Sequence, residues 1–264
     1  MRFVQVVRNF GPTGGMEEYA WQLTNCLAQK GISISVVCER AEHEMPEGVQ
    51  IYRIPRQTRG PGWFQALKFS NNLSDWKAQN GRATDFFHSH EFVRGADILT
   101  FHTTLHSSGQ NSLLKRFDPS WHGNQWLERK AILSPQLKSL VPVSDLLGDQ
   151  LRKAYPKVRS FLSTAIVPGV LMPSANNLKS DSSNGKVIGF MGKEWGRKGL
   201  RLVIEIFRQL NERGHELKLV IAGVGHDEIG NMIEGLSPKV EVMGWITDKE
   251  EFYNKIDLLL HPAK

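Results

Sequence analysis

Arg197 and Lys198 stand side by side in GKEWGRKG, residues 192–199, where an apolar strand gives way to a helix. Adjacent cations in a tight turn repel each other, so either the turn is merely solvated or something anionic belongs there. Gly196 permits a turn, and Gly199 lets the helix start close to a sheet. The free N–H groups and positive dipole at a helix start favour phosphate, to which Arg197 would add a fork and Lys198 a point charge. A solvated turn would more readily carry Asp or Glu at that place. The chemistry to look for is phosphate binding.

A second glycine corner, GPTGGMEE, places Gly14 and Gly15 at a strand-to-helix junction where backbone can approach a phosphate or sugar. Glu17 and Glu18 there can equally be read as complements to the helix dipole. With Glu39 ending the next strand, the corner also resembles a dinucleotide fingerprint, but its spacing is G-x-x-G-G and not G-x-G-x-x-G. The histidines form a third group: His88 and His90 in FHSHE, His102 and His106 in TFHTTLH. Zinc would need His102 and His106 on one helical face, and Thr103 and Thr104 after an extended run argue against a helix. His102 is open to two readings, a group at the carboxyl end of a strand facing an interdomain cleft or a hydrogen-bonded loop histidine. No G-x-S-x-G elbow, Walker loop or D-x-D pair occurs in the sequence.

These residues need a frame, and strand and helix patterns alternate throughout, which predicts an α/β fold with largely parallel sheets. FVQVV is a strand, FGPTGG a turn, and Met16, Tyr19, Ala20, Leu23 and Leu27 make a helical stripe before the strand ISISVV. Further strands are expected at VQIYRIP, DFFHSH, DILTFHT and SLVPVS. Helices are expected from Gly62 to about Gln79, through NQWLERKAIL, and after Ser144. Residues 167–185 mix Pro, Asn, Ser and Gly without periodicity and read as a linker between domains at 1–166 and 186–264. Beyond it the same grammar recurs, with strands at 186–191, 217–222, 239–243 and 257–260 and a stripe of Leu200, Val203, Ile204, Phe207 and Leu210. Two copies of one βαβ unit predict two facing Rossmann-like domains, the second incomplete, with ligands at the carboxyl ends of strands.

The net charge of +6 lies wholly in the first part of the chain. Residues 1–170 carry 20 Lys and Arg against 14 Asp and Glu, and the remainder has 13 of each. That surplus argues for an acidic partner: nucleic acid, a phosphorylated acceptor or an anionic membrane face. Trp63, Phe64 and Trp76 could touch a membrane there, although such residues are more often core. No apolar run reaches the length of a bilayer span, and Cys26 and Cys38 are spaced for neither zinc nor a disulfide framework, which fits a reducing cytoplasm.

In this order the segments resemble the retaining GT-B glycosyltransferases of family 4 (group 1). GGMEEYAWQLTNCLAQKG is similar to that family's opening helix, and HSHE followed by TFHT to the phosphatidylinositol mannosyltransferase type. WLERKAI, VPVSDLLGDQLRKAYP and VPGV follow, then GFMGKEWGRKGL, LVIAGVG and VEVMGWITDKEEFYNKIDLLLHPAK. The Arg-Lys pair resembles that of lipopolysaccharide core glucosyltransferases.

The resemblance implies transfer from a UDP-, GDP- or ADP-sugar to a lipopolysaccharide, polysaccharide or lipid-linked acceptor. It implies anomeric retention, no metal and no other cofactor, and no nucleic-acid partner. Arg197 and Lys198 would hold the donor diphosphate, Gly14 and Gly15 would line the opposite wall, and His102 would lie by the acceptor and reacting sugar as a catalytic residue. The location implied is cytoplasmic, with peripheral contact at the inner face of the membrane. The family's E-x7-E segment lies beyond Lys264, so a C-terminally truncated, weakly active or inactive chain is expected. The alternative is a non-catalytic remnant that binds a nucleotide sugar or a partner.

Overall fold

The computed structural model describes residues 1–41, 47–106, 118–169, 186–246 and 248–263. The chain divides into two compact units, Met1–Gly169 and Val170–Lys264. The part of the expected linker from 170 to 185 lies outside the described residues.

Unit 1 contains β1 (Arg2–Val6), β2 (Asn9–Phe10), α1 (Gly15–Gln29), β3 (Ile34–Cys38), β4 (Arg40–Ala41), β5 (Gln50–Arg53) and α2 (Gly62–Asn80). These are followed by β6 (Asp85–Ser89), β7 (Ile98–Phe101), α3 (Pro119–Ile132), β8 (Ser139–Pro142) and α4 (Asp145–Ala154). Six strands form one parallel sheet in the order β5-β3-β1-β6-β7-β8, and β2 pairs with β4 separately. Chain order therefore reverses direction between β1 and β6, the place where open α/β sheets bind ligands at their carboxyl edge.

The apolar strands explain the layering. All of β3, ISVVC, is buried, as a strand covered on both faces must be. Successive side chains alternate between faces. Val4, Val6, Val37 and Phe87 pack with Phe69, Leu73 and Trp76 of α2, whereas Val36 and Cys38 pack with Ala20 of α1. Leu99 and Phe101 of β7 join Ala131, Ile132, Leu147 and Leu151 of α3 and α4. The residues between them, Gln5, His88 and Thr100, turn to the opposite faces of their strands.

Unit 2 contains β9 (Val187–Met191), α5 (Trp195–Lys198), α6 (Leu200–Glu212), β10 (Lys218–Ala222), α7 (His226–Ile233), β11 (Val240–Gly244), α8 (Lys249–Lys255) and β12 (Leu258–Leu259). Its four strands are parallel in the order β11-β10-β9-β12, so here the reversal falls between β9 and β12. Leu200, Val203, Ile204 and Phe207 are buried against β9 and β10, as the helical stripe predicts. On the other face Phe252 and Ile256 pack over Gly189, where a Cβ would lie 2.6 Å from the Ile256 side chain.

One expectation changes. Tyr19, one position of the helical stripe, is half-buried and stands against two histidine rings and not the apolar core. Of the three aromatics weighed for membrane contact, Trp76 is core, while Trp63 is half-buried with its ring over Gly123 of α3.

Candidate functional site

In unit 1 the side chains at the β1/β6 reversal form a hydrogen-bonded chain. Gln5 Oε1 lies 2.9 Å from His90 Nε2, and His90 Nδ1 lies 3.0 Å from His102 Nε2. Behind them His88 Nε2 contacts Thr100 Oγ1 at 2.7 Å, and the His88 and His90 rings are 4.5 Å apart. Tyr19 packs its ring edge-on against both His90 and His102, at 5.6 and 5.0 Å. Strand alternation brings this about: Gln5 on β1 is in register with His88 on β6, and H-x-H and T-x-H keep the same face along neighbouring strands.

Burial keeps these rings neutral. It lowers His88 to about 4, helped by the nearby His102, and lowers His102 to about 4 by itself. His90 falls well below the ordinary histidine range through burial and then the two neighbouring rings. Glu91, two residues past β6, is raised to about 7 by burial, against the Arg8 N–H that donates to its Oε1 at 3.3 Å. His106 goes elsewhere, its backbone N–H donating to Glu128 Oε2 at 2.7 Å. Among the described residues no three His, Cys, Asp or Glu side chains converge as metal ligands.

Gly14 is the N-cap of α1, and Gly15 is its first residue, with open space where a side chain would stand. The Glu17 carboxylate folds back over Gly14, and Glu18 accepts from Gln22 Nε2 at 3.1 Å. Glu39, which a dinucleotide fingerprint would offer to a ribose, is instead buried in an ion pair with Arg8, whose Nε donates at 3.0 Å.

In unit 2 Arg197 and Lys198 lie at the β9/β12 reversal, but not at the start of the long helix as expected. They belong to α5, a single helical turn that ends at Gly199. Gly199 has φ +86°, and a Cβ there would come within 2.2 Å of the Pro262 carbonyl oxygen. Only glycine combines that backbone with that approach, so it separates α5 from α6 and seats the chain after β12 against the turn. Gly196, by contrast, faces open space and meets no such demand.

The two cations are not alone. Arg197 Nε donates to Glu194 Oε2 at 2.8 Å, and its Nη2 forms an ion pair with the same oxygen. The Lys198 stem lies against Gly192. His261, just past β12, is lowered by partial burial and then by the charges of Lys198 and Arg197. It is a third basic group at this edge, and the segment HPAK that carries it offers no local sign of that role.

Two Rossmann-like units, each with polar groups gathered at its strand-order reversal, define a GT-B glycosyltransferase fold. WaaG, "a glycosyltransferase involved in lipopolysaccharide biosynthesis", superposes with TM-score 0.83 at 16% identity, over 99% of this chain and 75% of that one. The catalytic domain of starch synthase IV from Arabidopsis thaliana, bound to ADP and acarbose, gives 0.67 at 14% identity, over 99% and 78%. TarM gives 0.66 at 10%, over 99% and 80%. No curated protein matches the sequence. The profile described as Glycosyltransferase Family 4 matches residues 13–169, and that described as Glycosyl transferases group 1 matches 185–264. The chain belongs to glycosyltransferase family 4. No helix among the described residues is long and apolar enough to cross a membrane.

Proposed function

We propose that the protein moves a sugar from a nucleotide-sugar donor to a lipopolysaccharide, polysaccharide or lipid-linked acceptor, with retention at the anomeric carbon and without a metal. The observation that carries this reading is the gathering of Arg197, Lys198 and His261 at the carboxyl edge of β9 and β12.

Cleaving the bond between a sugar and a nucleoside diphosphate builds negative charge on the leaving phosphate. Fixed cations stabilise that charge more than they stabilise the ground state, which lowers the barrier. The Arg197 fork suits two phosphate oxygens, and Lys198 adds a point charge. Glu194 does not prevent this, because both members of its pair are more than half exposed, at 57% and 63% of their side chains. Exposed pairs contribute little, so Arg197 can exchange the carboxylate for a diphosphate.

Unit 1 in this reading takes the acceptor. Its N–H groups at Gly14 and Gly15 would meet the diphosphate and sugar, and His102 would hydrogen-bond a sugar hydroxyl as a neutral imidazole. The positive surplus of residues 1–170 suits a phosphorylated acceptor or peripheral contact with the inner face of the membrane.

A thermal-shift titration with UDP, GDP, ADP and NAD tests the donor site. A ligand at a hundred times its Kd adds about 2.7 kcal/mol of stability. One nucleoside diphosphate should raise Tm, and Arg197→Ala/Lys198→Ala should abolish the rise. A response to NAD alone, or a shift that survives the double substitution, would overturn the reading.

A further inference from the structure

We infer that Gln5 and His90 form a neutral relay that fixes His102 as its Nε2–H tautomer and leaves the Nδ1 lone pair as the face that meets substrate. This rests on the reading of His102 as a catalytic residue; Gln5 and His90 are positioning residues that act through it.

The direction of the chain follows from its first atom. With the Gln5 amide turned as it stands, Oε1 faces His90 and accepts, so His90 donates from Nε2 across the 2.9 Å contact. A neutral imidazole carries one N–H, so His90 Nδ1 is then a lone pair. It can bond His102 Nε2 at 3.0 Å only if that nitrogen carries the proton. His102 Nδ1 is left unprotonated, and none of the described residues bonds it. A hydroxyl of the sugar or acceptor that approached it would donate, and a developing proton could be received there.

The amide at the base of the chain matters. In the carboxylate–histidine arrangement an anion stabilises imidazolium; here the same position holds a neutral group. The groups facing the pair are Gln5 from β1, His88 from β6 and Tyr19 from α1. None of them is a carboxylate. Burial then holds both imidazoles uncharged at neutral pH, helped at His90 by the two neighbouring rings. His102 is thereby kept as a hydrogen-bonding group and weak base, not as a cation competing with Arg197 for phosphate.

Gln5 Nε2 is a buried donor with no partner among the described residues. Rotating the amide would satisfy that donor through His90 Nε2 and reverse every proton in the chain, giving His102 an Nδ1–H. The two arrangements make opposite statements about His102, which makes the inference testable without any activity measurement.

The experiment is long-range ¹H–¹⁵N correlation on the full chain labelled with ¹⁵N-histidine at pH 7. His90 and His102 are assigned by loss of signals in His90→Asn and His102→Asn. Both rings should be neutral with protonated Nε2. An Nδ1–H on His102, or a charged ring, overturns the relay. Gln5→Glu supplies a readout in turnover: a carboxylate in place of the amide should raise the His90–His102 pair and move the acid limb of the kcat profile to higher pH. Gln5→Leu should lower kcat roughly tenfold with donor KM unchanged. An unmoved pH profile with unchanged kcat would overturn the positioning role. If the tautomers are as stated but His102→Asn turns over normally, the relay stands and the catalytic reading of His102 falls.

Discussion

His90 Nδ1 and His102 Nε2 are bonded directly to each other across 3.0 Å, imidazole to imidazole, at a part-buried site. Burial holds both rings uncharged. The unfolded chain has no such constraint, and its histidines titrate near 6.5. Below that value the unfolded state binds protons that folded His88 and His102 take up only near 4. Stability should therefore be complete above about pH 6.5 and fall as pH drops toward 4, by about 1.4 kcal/mol per pH unit for each such proton. Urea unfolding midpoints between pH 8 and 4 measure it. His88→Asn with His102→Asn should flatten the slope.

Glu91 acts with the opposite sign. Its carboxyl is raised from 4.5 to about 7, so the folded state holds a proton that the unfolded state has released. That contribution is present below about pH 4.5 and is lost as pH rises through 7, opposing the histidines in between. Glu91→Gln keeps an acceptor for the Arg8 N–H and removes the ionisation. The variant should gain on the parent protein as pH increases to 7, by about 1.4 kcal/mol per unit, with the difference levelling above it. Melting temperatures of both proteins from pH 5 to 9 give the comparison.

The frame of both units was legible because their strands are apolar runs and their helices carry clear stripes. The stripe from Leu200 to Phe207 is buried as periodicity requires. The histidine group was visible as letters but not as a chain of bonds. H-x-H and T-x-H put His88, His90, Thr100 and His102 on alternate positions, yet only sheet order says that β6 and β7 are neighbours and that Gln5 on β1 lies beside them. One signal was present: Gln5 is the single polar residue in FVQVV, and a polar side chain in a doubly covered strand needs a partner. Tyr19 fitted a helical stripe by spacing, and nothing local distinguishes a residue facing the core from one facing a polar pocket at its rim. At GRKG the local pattern predicts a helix start at the glycine, because the approach of Pro262, sixty-three residues later, leaves no local trace.

That approach gives a third prediction. Gly199→Ala places a Cβ on the Pro262 carbonyl and requires a left-handed backbone of alanine. The strain and the clash together should cost about 2 kcal/mol or more. Gly196→Ala, facing open space in α5, should be nearly neutral. Displacing the chain after β12 should also move His261 away from Lys198, so Gly199→Ala should weaken nucleoside diphosphate binding even at temperatures where it is fully folded. Denaturant unfolding and the same nucleotide titration separate the two effects.

The ion pair beneath β1 is purely structural and gives a contrasting case. Arg2 Nε donates to Asp85 Oδ1 at 3.0 Å, and the two side chains are 8% and 0% exposed. The bond from Arg2 holds the Asp85 carboxyl below its ordinary range. Asp85→Ala leaves a buried guanidinium without its carboxylate, held by Tyr52, the Asn80 carbonyl and the Trp76 ring, and should cost about 3 kcal/mol or more in urea unfolding. Nucleotide affinity in the folded fraction should not change, because the pair sits at the amino end of β1 and β6, away from the reversal edge.

Glu194 supplies the last prediction, and it tests the donor site without removing a cation. Its carboxylate is held below the usual range by Arg197, first through the hydrogen bond and then through charge, with smaller help from Lys198 and Lys193. A diphosphate that used Arg197 would have to displace it. Glu194→Gln removes the competing charge and leaves Arg197 in place, so UDP, GDP or ADP, whichever binds, should bind more tightly. Both groups are solvent-exposed, so the gain should be largest at low ionic strength and shrink as salt screens it. Isothermal titration at low and at high salt checks this, with Arg197→Ala/Glu194→Gln as the control that should show no gain. Equal affinity of parent and Glu194→Gln at low salt would mean that Arg197 does not face the phosphates.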